Sequence, residues 1–171
     1  MKNLLLLLSG LVFAASAAAA DAARLAVWVT APVGTTSGIQ CDLEASPASA
    51  GRLQATPLPP TPPTVTERDV IAWNRSTGRW TLDPARFAGI ESAQRLQDHC
   101  FLLAIDGKLV SSGIVLSEYS ARLTGFPTLI VLNRGNVLTF ELLSSNHGTS
   151  MRHLHADALN AVLREKPAQQ K

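Results

Sequence analysis

The side chains in this sequence with chemical potential are four histidines, two cysteines and a scatter of serines and carboxylates. The densest group is "RHLHAD" at 152–157, which places His153 and His155 two residues apart, with His147 just upstream. On a helix, residues two apart point about 200° away from each other around the axis. His155 would then fall on the face of Met151, Leu159 and Val162, with His153 outward, and one metal ion could not take both. In extended chain the two share a face, His147 could join them, and zinc or copper would accept such a set. Metal binding through His147, His153 and His155 is therefore one expectation. Ordinary surface and boundary histidines, with His99 among them, are the other.

Hydrolytic chemistry needs a nucleophile with a base in reach. Ser111, Ser112, Ser117, Ser120, Ser144, Ser145 and Ser150 are present by count only, and no G-x-S-x-G elbow surrounds any of them. "GTS" at 148–150 reads as a helix cap. Asp106 is explained by a turn, and nothing in the spacing of Glu118 and Glu141 brings them together as paired carboxylates. An exported hydrolase is thus a third reading without a recognisable constellation. No catalytic residue and no cofactor is expected from these patterns.

The ends frame where such chemistry would take place. "MKN", then "LLLLLSGLVF", then "AASAAAA" has the form of a secretory signal, with cleavage expected after Ala20. The apolar run falls short of the roughly twenty residues of a spanning helix, and no later segment is apolar enough. The formal net charge is only +2 before Lys2 is removed, and the basic residues are scattered. Nucleic-acid binding needs a clustered basic footprint and is not expected. A periplasmic or secreted protein is implied. In that setting Cys41 and Cys100 form an even pair that favours a disulfide. It closes a loop of about sixty residues, a constraint worth roughly 3 to 4 kcal/mol.

The elements that must position these residues follow from periodicity. "ARLAVWVT" (23–30) and "GIQCDLEA" (38–45) alternate as strands, the second aiming Cys41 at a core. Residues 46–65, with prolines at 57, 59, 60, 62 and 63, are expected to run as an extended polyproline-II connector. "VIAWN" and "WTL" flank the turn "NRSTGR", so that Trp73 and Trp80 pair across a hairpin or line an exposed partner surface. Asp83-Pro84 starts a helix expected to reach Asp98, with Phe87, Ile90, Ala93 and Leu96 on one face. "HCFLLAIDGKLVSSGIVL" (99–116) is a hairpin about Asp106-Gly107, with Ile105 facing Lys108 and Leu103 facing Val110. Its first strand is apolar on both faces, as in a strand covered on each side. "SEYSARL" (117–123) is a short helix or loop. "TLIVLN" and "VLTFELL" form a second hairpin about "RGN". A final helix capped by Ser150 ends before Pro167, and the tail 166–171 is expected to fray.

From about Val65 to Leu143 these elements resemble the head subdomain in the first periplasmic domain of SecD-type protein-export translocase subunits. The resemblance is carried by Thr66–Val70 (T-x-x-D-V), the 70–82 hairpin, the 83–98 helix and "LAIDGKLVSS". It implies a fold and a polypeptide-binding habit, with no catalytic residue to carry over. The family has Ala-Pro after the serine where this chain has Ser112-Gly113, and its membrane domain has no counterpart here.

The expected organisation is a leader at 1–20, amino-terminal strands at 21–45, the connector at 46–65, an α+β domain at 66–165 and the tail. The expected architecture is a largely antiparallel sheet of six to eight strands with two or three helices packed on it. The expected function is that of a non-catalytic exported module binding a polypeptide or a cell-envelope partner, with a sheet edge or the Trp73–Trp80 region as its surface.

Overall fold

Apolar residues recur with a period of two along several segments of the chain, and the computed structural model resolves these into one sheet. The structure describes residues 23–32, 41, 52–145 and 152–163. The strands are β1 (Leu25–Pro32), β2 (Val65–Thr66), β3 (Val70–Asn74), β4 (Arg79–Leu82), β5 (His99–Ile105), β6 (Lys108–Ser117), β7 (Thr128–Arg134) and β8 (Val137–Leu143). The helices are α1 (Arg52–Ala55), α2 (Gly89–Leu96) and α3 (Ala156–Leu163). The fold is α+β, as expected, but the sheet is mixed. Its order is β2-β1-β5-β6-β7-β8-β4-β3, and β6 and β7 run parallel while every other neighbouring pair is antiparallel.

The two outermost strands, β2 and β3, are joined only by the 3-10 turn Glu67–Asp69. The chain from Thr66 to Val70 can span at most about 14 Å, whereas a flat sheet of this order would hold its edges about 33 Å apart. The sheet therefore curls until its edges nearly meet, as an almost closed barrel. Asp69 fixes the turn. It is 2% exposed, and its carboxylate accepts from Thr66 N at 2.7 Å and Thr66 Oγ1 at 3.0 Å, and pairs with Arg86.

Alternation sorts the side chains across this wall. Leu25 and Val27 of β1, Phe101 and Leu103 of β5, and Phe140 and Leu142 of β8 turn inward with Trp80 and Leu82 of β4. Trp80 meets Phe140 edge-on, ring centres 5.6 Å apart. Ala93 and Leu96 of α2, and Leu159 and Leu163 of α3, complete the same core. On the other face, Ala26, Trp28 and Ala104 are covered by Leu53 of α1. Cys100, Ile114 and Leu116 are covered by Cys41. β5 is thus buried on both faces, which explains its unbroken apolar run. The disulfide Cys41–Cys100 is formed, with α-carbons 4.8 Å apart.

Several boundaries differ from the sequence reading. The helix expected over 83–98 begins only at Gly89. Asp83 instead caps a tight turn, its Oδ1 accepting from Ala85 N at 2.9 Å and its carbonyl from Phe87 N at 2.9 Å. Ala88 is extended and Gly89 has φ +74°, so the chain turns once before it coils. The last helix starts at Ala156, because His153 is still extended and bridges Leu143 of β8, and His155 has φ +53°. The connector is not extended throughout: it carries α1, with Leu53 buried, and ends in β2. In the β5–β6 hairpin Asp106 and Gly107 take positive φ and Ile105 faces Lys108, but Leu103 faces Ser111, since Val110 is a bulge.

The parallel pairing of β6 with β7 has its own cause. A Cβ on Gly113 would lie 1.8 Å from the Pro127 carbonyl oxygen, which accepts from Ile114 N at 3.2 Å. Only glycine lets the returning chain come that close and enter β7 beside the middle of β6.

Candidate functional site

Of the histidines singled out by the sequence as metal ligands, the two that the structure describes, His153 and His155, have different surroundings. The His153 ring lies against Gly78, its Nδ1 3.8 Å from Glu141, a carboxylate that also holds Arg79 at 2.9 Å. His155 is half-buried and bonded to the Val110 backbone; burial holds its imidazole below the ordinary value, which that bond only partly offsets. His147 and Ser150 lie outside the described residues, and among those residues no cluster of three metal-binding side chains occurs. Trp73 and Trp80 pair in register across the β3–β4 hairpin. Trp80 is completely enclosed, because its strand faces the core. Trp73 is half-buried and donates to Asn160 Oδ1 at 3.3 Å. The expected aromatic surface is therefore reduced to the edge of Trp73.

The remaining serines are taken up by the scaffold. Ser111 and Ser112 are fully buried inside β6, and Ser117 closes that strand. Ser144 Oγ accepts from Arg152 N at 3.3 Å, and Ser120 Oγ accepts from Arg122 N at 3.2 Å. Glu118 pairs with Arg134 and Glu141 with Arg79, so each carboxylate is engaged in an ion pair of its own. Asp106 sits at the hairpin tip, where the hydrogen bond from Arg24 holds its carboxyl below the usual range.

The structure instead assembles a polar cleft that the sequence did not reveal. It has a volume of about 390 Å³ and is lined by Val29 and Thr30 of β1, Thr64, the turn residues Arg86 and Phe87, Ser92, Arg95 and Leu96 of α2, and His99 of β5. Phe87 and Leu96 belong to the core and form its apolar base. Ser92 and Arg95 share a face because they are three residues apart on α2, and Arg95 donates to Ser92 Oγ at 3.3 Å. Arg86 stacks over Phe87 at 5.4 Å and is held by buried Asp69. His99 Nδ1 donates to the Gln97 carbonyl at 2.7 Å, which turns Nε2 away from that bond. Thr64 Oγ1 accepts from Val29 N at 3.0 Å, leaving its own proton to donate.

The charges of the two arginines are balanced differently. Arg86 is neutralised by Asp69, whereas Arg95 meets no carboxylate at ion-pair distance among the described residues. Glu91, one turn before Arg95, lines a separate depression with Asn133 and Gly135. Ser92 and His99 share the cleft without a hydrogen bond between them: Ser92 holds Arg95, and His99 holds Gln97. Each side chain is thus engaged with its own neighbour on the cleft wall.

One wall of the cleft is a sheet edge. β1 pairs with β2 only at Ala26 and Val27. Farther along, Thr64 N donates to the Val27 carbonyl at 2.7 Å and Trp28 Nε1 to the Thr61 carbonyl at 2.8 Å. Past Val29 no strand joins this side of β1 among the described residues. On its other side Thr30 Oγ1 donates to the Cys100 carbonyl at 3.1 Å, so the disulfide-bonded residue supports the cleft directly. The chain matches no family model, no curated protein and no solved structure.

Proposed function

We propose that this protein is an exported, non-catalytic module that binds an extended segment of a polypeptide or envelope partner in the cleft beside β1. The observation that carries this reading is the strand edge of β1 opening onto a cleft that also holds an uncompensated arginine. A strand edge supplies main-chain hydrogen bonds to an extended peptide, and adjacent side chains supply selectivity. A cleft of this size suits a few residues of such a chain. Export is supported by the Cys41–Cys100 disulfide, a bond favoured outside the reducing cytoplasm. Among the described residues no helix is long and apolar enough to cross a membrane. The likeness to a translocase head points to the same habit and rests on its motifs alone.

The test is affinity capture from envelope extract after mild crosslinking, run in parallel with the wild-type chain and the charge-reversed variant Arg95→Glu. The expected result is a partner retained by the wild type and lost from the variant. Equal retention by both would place any partner elsewhere on the molecule and end this reading.

A further inference from the structure

The donors in the cleft outnumber what the protein itself uses, and they specify a ligand chemistry. We infer that the cleft recognises a carboxylate, with Arg95 as the residue that binds it. This rests on the reading of the cleft as the binding site and names the group it takes.

Three observations lead there. First, Arg95 lines the cleft with one guanidinium nitrogen on Ser92 Oγ, and no carboxylate of the described residues lies at ion-pair distance from it. A guanidinium fork matches the two oxygens of a carboxylate in its plane. Second, the described residues leave the cleft with one positive charge. Arg86 is offset by Asp69, Arg95 is not, and Glu91 faces another depression. That complements a monoanion, whereas a phosphate monoester would bring about two negative charges at neutral pH. Third, the neutral groups around Arg95 are suited to support an anion. Ser92 and Thr64 both accept a hydrogen bond within the protein, from Arg95 and Val29 N respectively, so each keeps its hydroxyl proton to donate. Ser92 is 6% exposed, so its bond to the ligand would be shielded from water.

Two sources could present that group: the carboxy terminus of a polypeptide, or a free small carboxylic acid. The polypeptide source is favoured by the β1 edge, which a small acid would not need.

The experiment is a titration of the exported chain, isotopically labelled, followed through the Arg95 side-chain and the Ser92 and His99 backbone NMR signals. Four probes are used: propionate, inorganic phosphate, a random hexapeptide mixture with free carboxy termini, and the same mixture amidated at the carboxy terminus. The expected result is that the free-acid peptides shift these signals at least tenfold more strongly than the amidated ones, that propionate competes with them, and that phosphate does not. Arg95→Gln, an exposed position on α2, should abolish the difference while leaving the rest of the spectrum in place. Propionate binding without peptide binding would keep the carboxylate inference and end the polypeptide reading. Peptides that bind equally with and without the terminal carboxylate would do the reverse. Phosphate binding more tightly than propionate, or an unchanged response in Arg95→Gln, would overturn the inference.

Discussion

The wall of the barrel around β4 and β8 and the cleft beside β1 and α2 are built from the same sheet but solve opposite problems. In the first region, Trp80, Leu82, Phe140 and Leu142 are all enclosed, and the ion pair of Arg79 with Glu141 closes the outer surface. In the second, an arginine, two hydroxyls and a histidine face a cavity with hydrogen-bonding capacity to spare. The same sheet thus carries a closed apolar wall at one side and an open polar cleft at the other. The first region is held by apolar packing, with even the buried Trp80 Nε1 left without a hydrogen-bond partner among the described residues, whereas the second keeps polar groups at an accessible cleft, where recognition is proposed.

The sharpest way to break this contrast is to attack each region and read both stability and binding. Trp80→Ala removes a fully buried indole and the edge-on partner of Phe140. It is expected to cost about 3–5 kcal/mol in urea denaturation, whereas Arg95→Gln should change stability by less than about 0.5 kcal/mol. If Arg95→Gln were the more destabilising of the two, the cleft would be a structural element. Next in size is the disulfide. Cys41 and Cys100 close a 59-residue separation, so replacing both by alanine should cost about 4 kcal/mol in the chain-entropy model. Because Thr30 is hydrogen-bonded to the Cys100 carbonyl, the same variant is expected to broaden the NMR signals of the cleft before those of β8.

Much of the wall was legible beforehand. β1, β3, β4 and the two hairpins followed from period-two alternation, and Asp106-Gly107 located its turn. The mixed pairing of β6 and β7 was not, since it depends on the close passage of Pro127 over Gly113, a contact between segments that periodicity does not see. The start of α2 was misplaced because Asp83-Pro84 suits a tight turn as well as a helix cap. The cleft was the least legible part. Its residues come from β1, the end of the connector, the 83–87 turn, α2 and β5, and no two neighbours in sequence announce it. The one local signal was Ser92 and Arg95 at helical spacing, a pattern too common to single out unaided.

Smaller effects sharpen the comparison further. Asp69 belongs to both regions: it locks the turn that closes the barrel and holds Arg86 at the cleft. Asp69→Asn is expected to cost about 2–3 kcal/mol, since it breaks a buried, hydrogen-bonded ion pair, and to weaken ligand binding as well. Thermal denaturation of the variant, with and without ligand, separates the two losses. The smallest effect is on pH dependence. His155 titrates below its ordinary value in the folded chain because it is partly buried. The unfolded chain therefore takes up its proton first as the pH falls through about 6.5, and stability declines from there toward the lower folded value. His155→Gln should flatten that part of the stability–pH curve, and an unchanged slope would mean the imidazole is as solvated folded as unfolded.

The most direct test of the central claim, that recognition resides in the cleft, is photo-crosslinking in living cells. A photoreactive side chain is placed either at Thr30, which lines the cleft, or at Tyr119, which is 82% exposed on the β6–β7 loop. The account predicts adducts from position 30 that disappear when Arg95→Glu is added, with few or none from position 119. Adducts from position 119 and none from position 30 would contradict it.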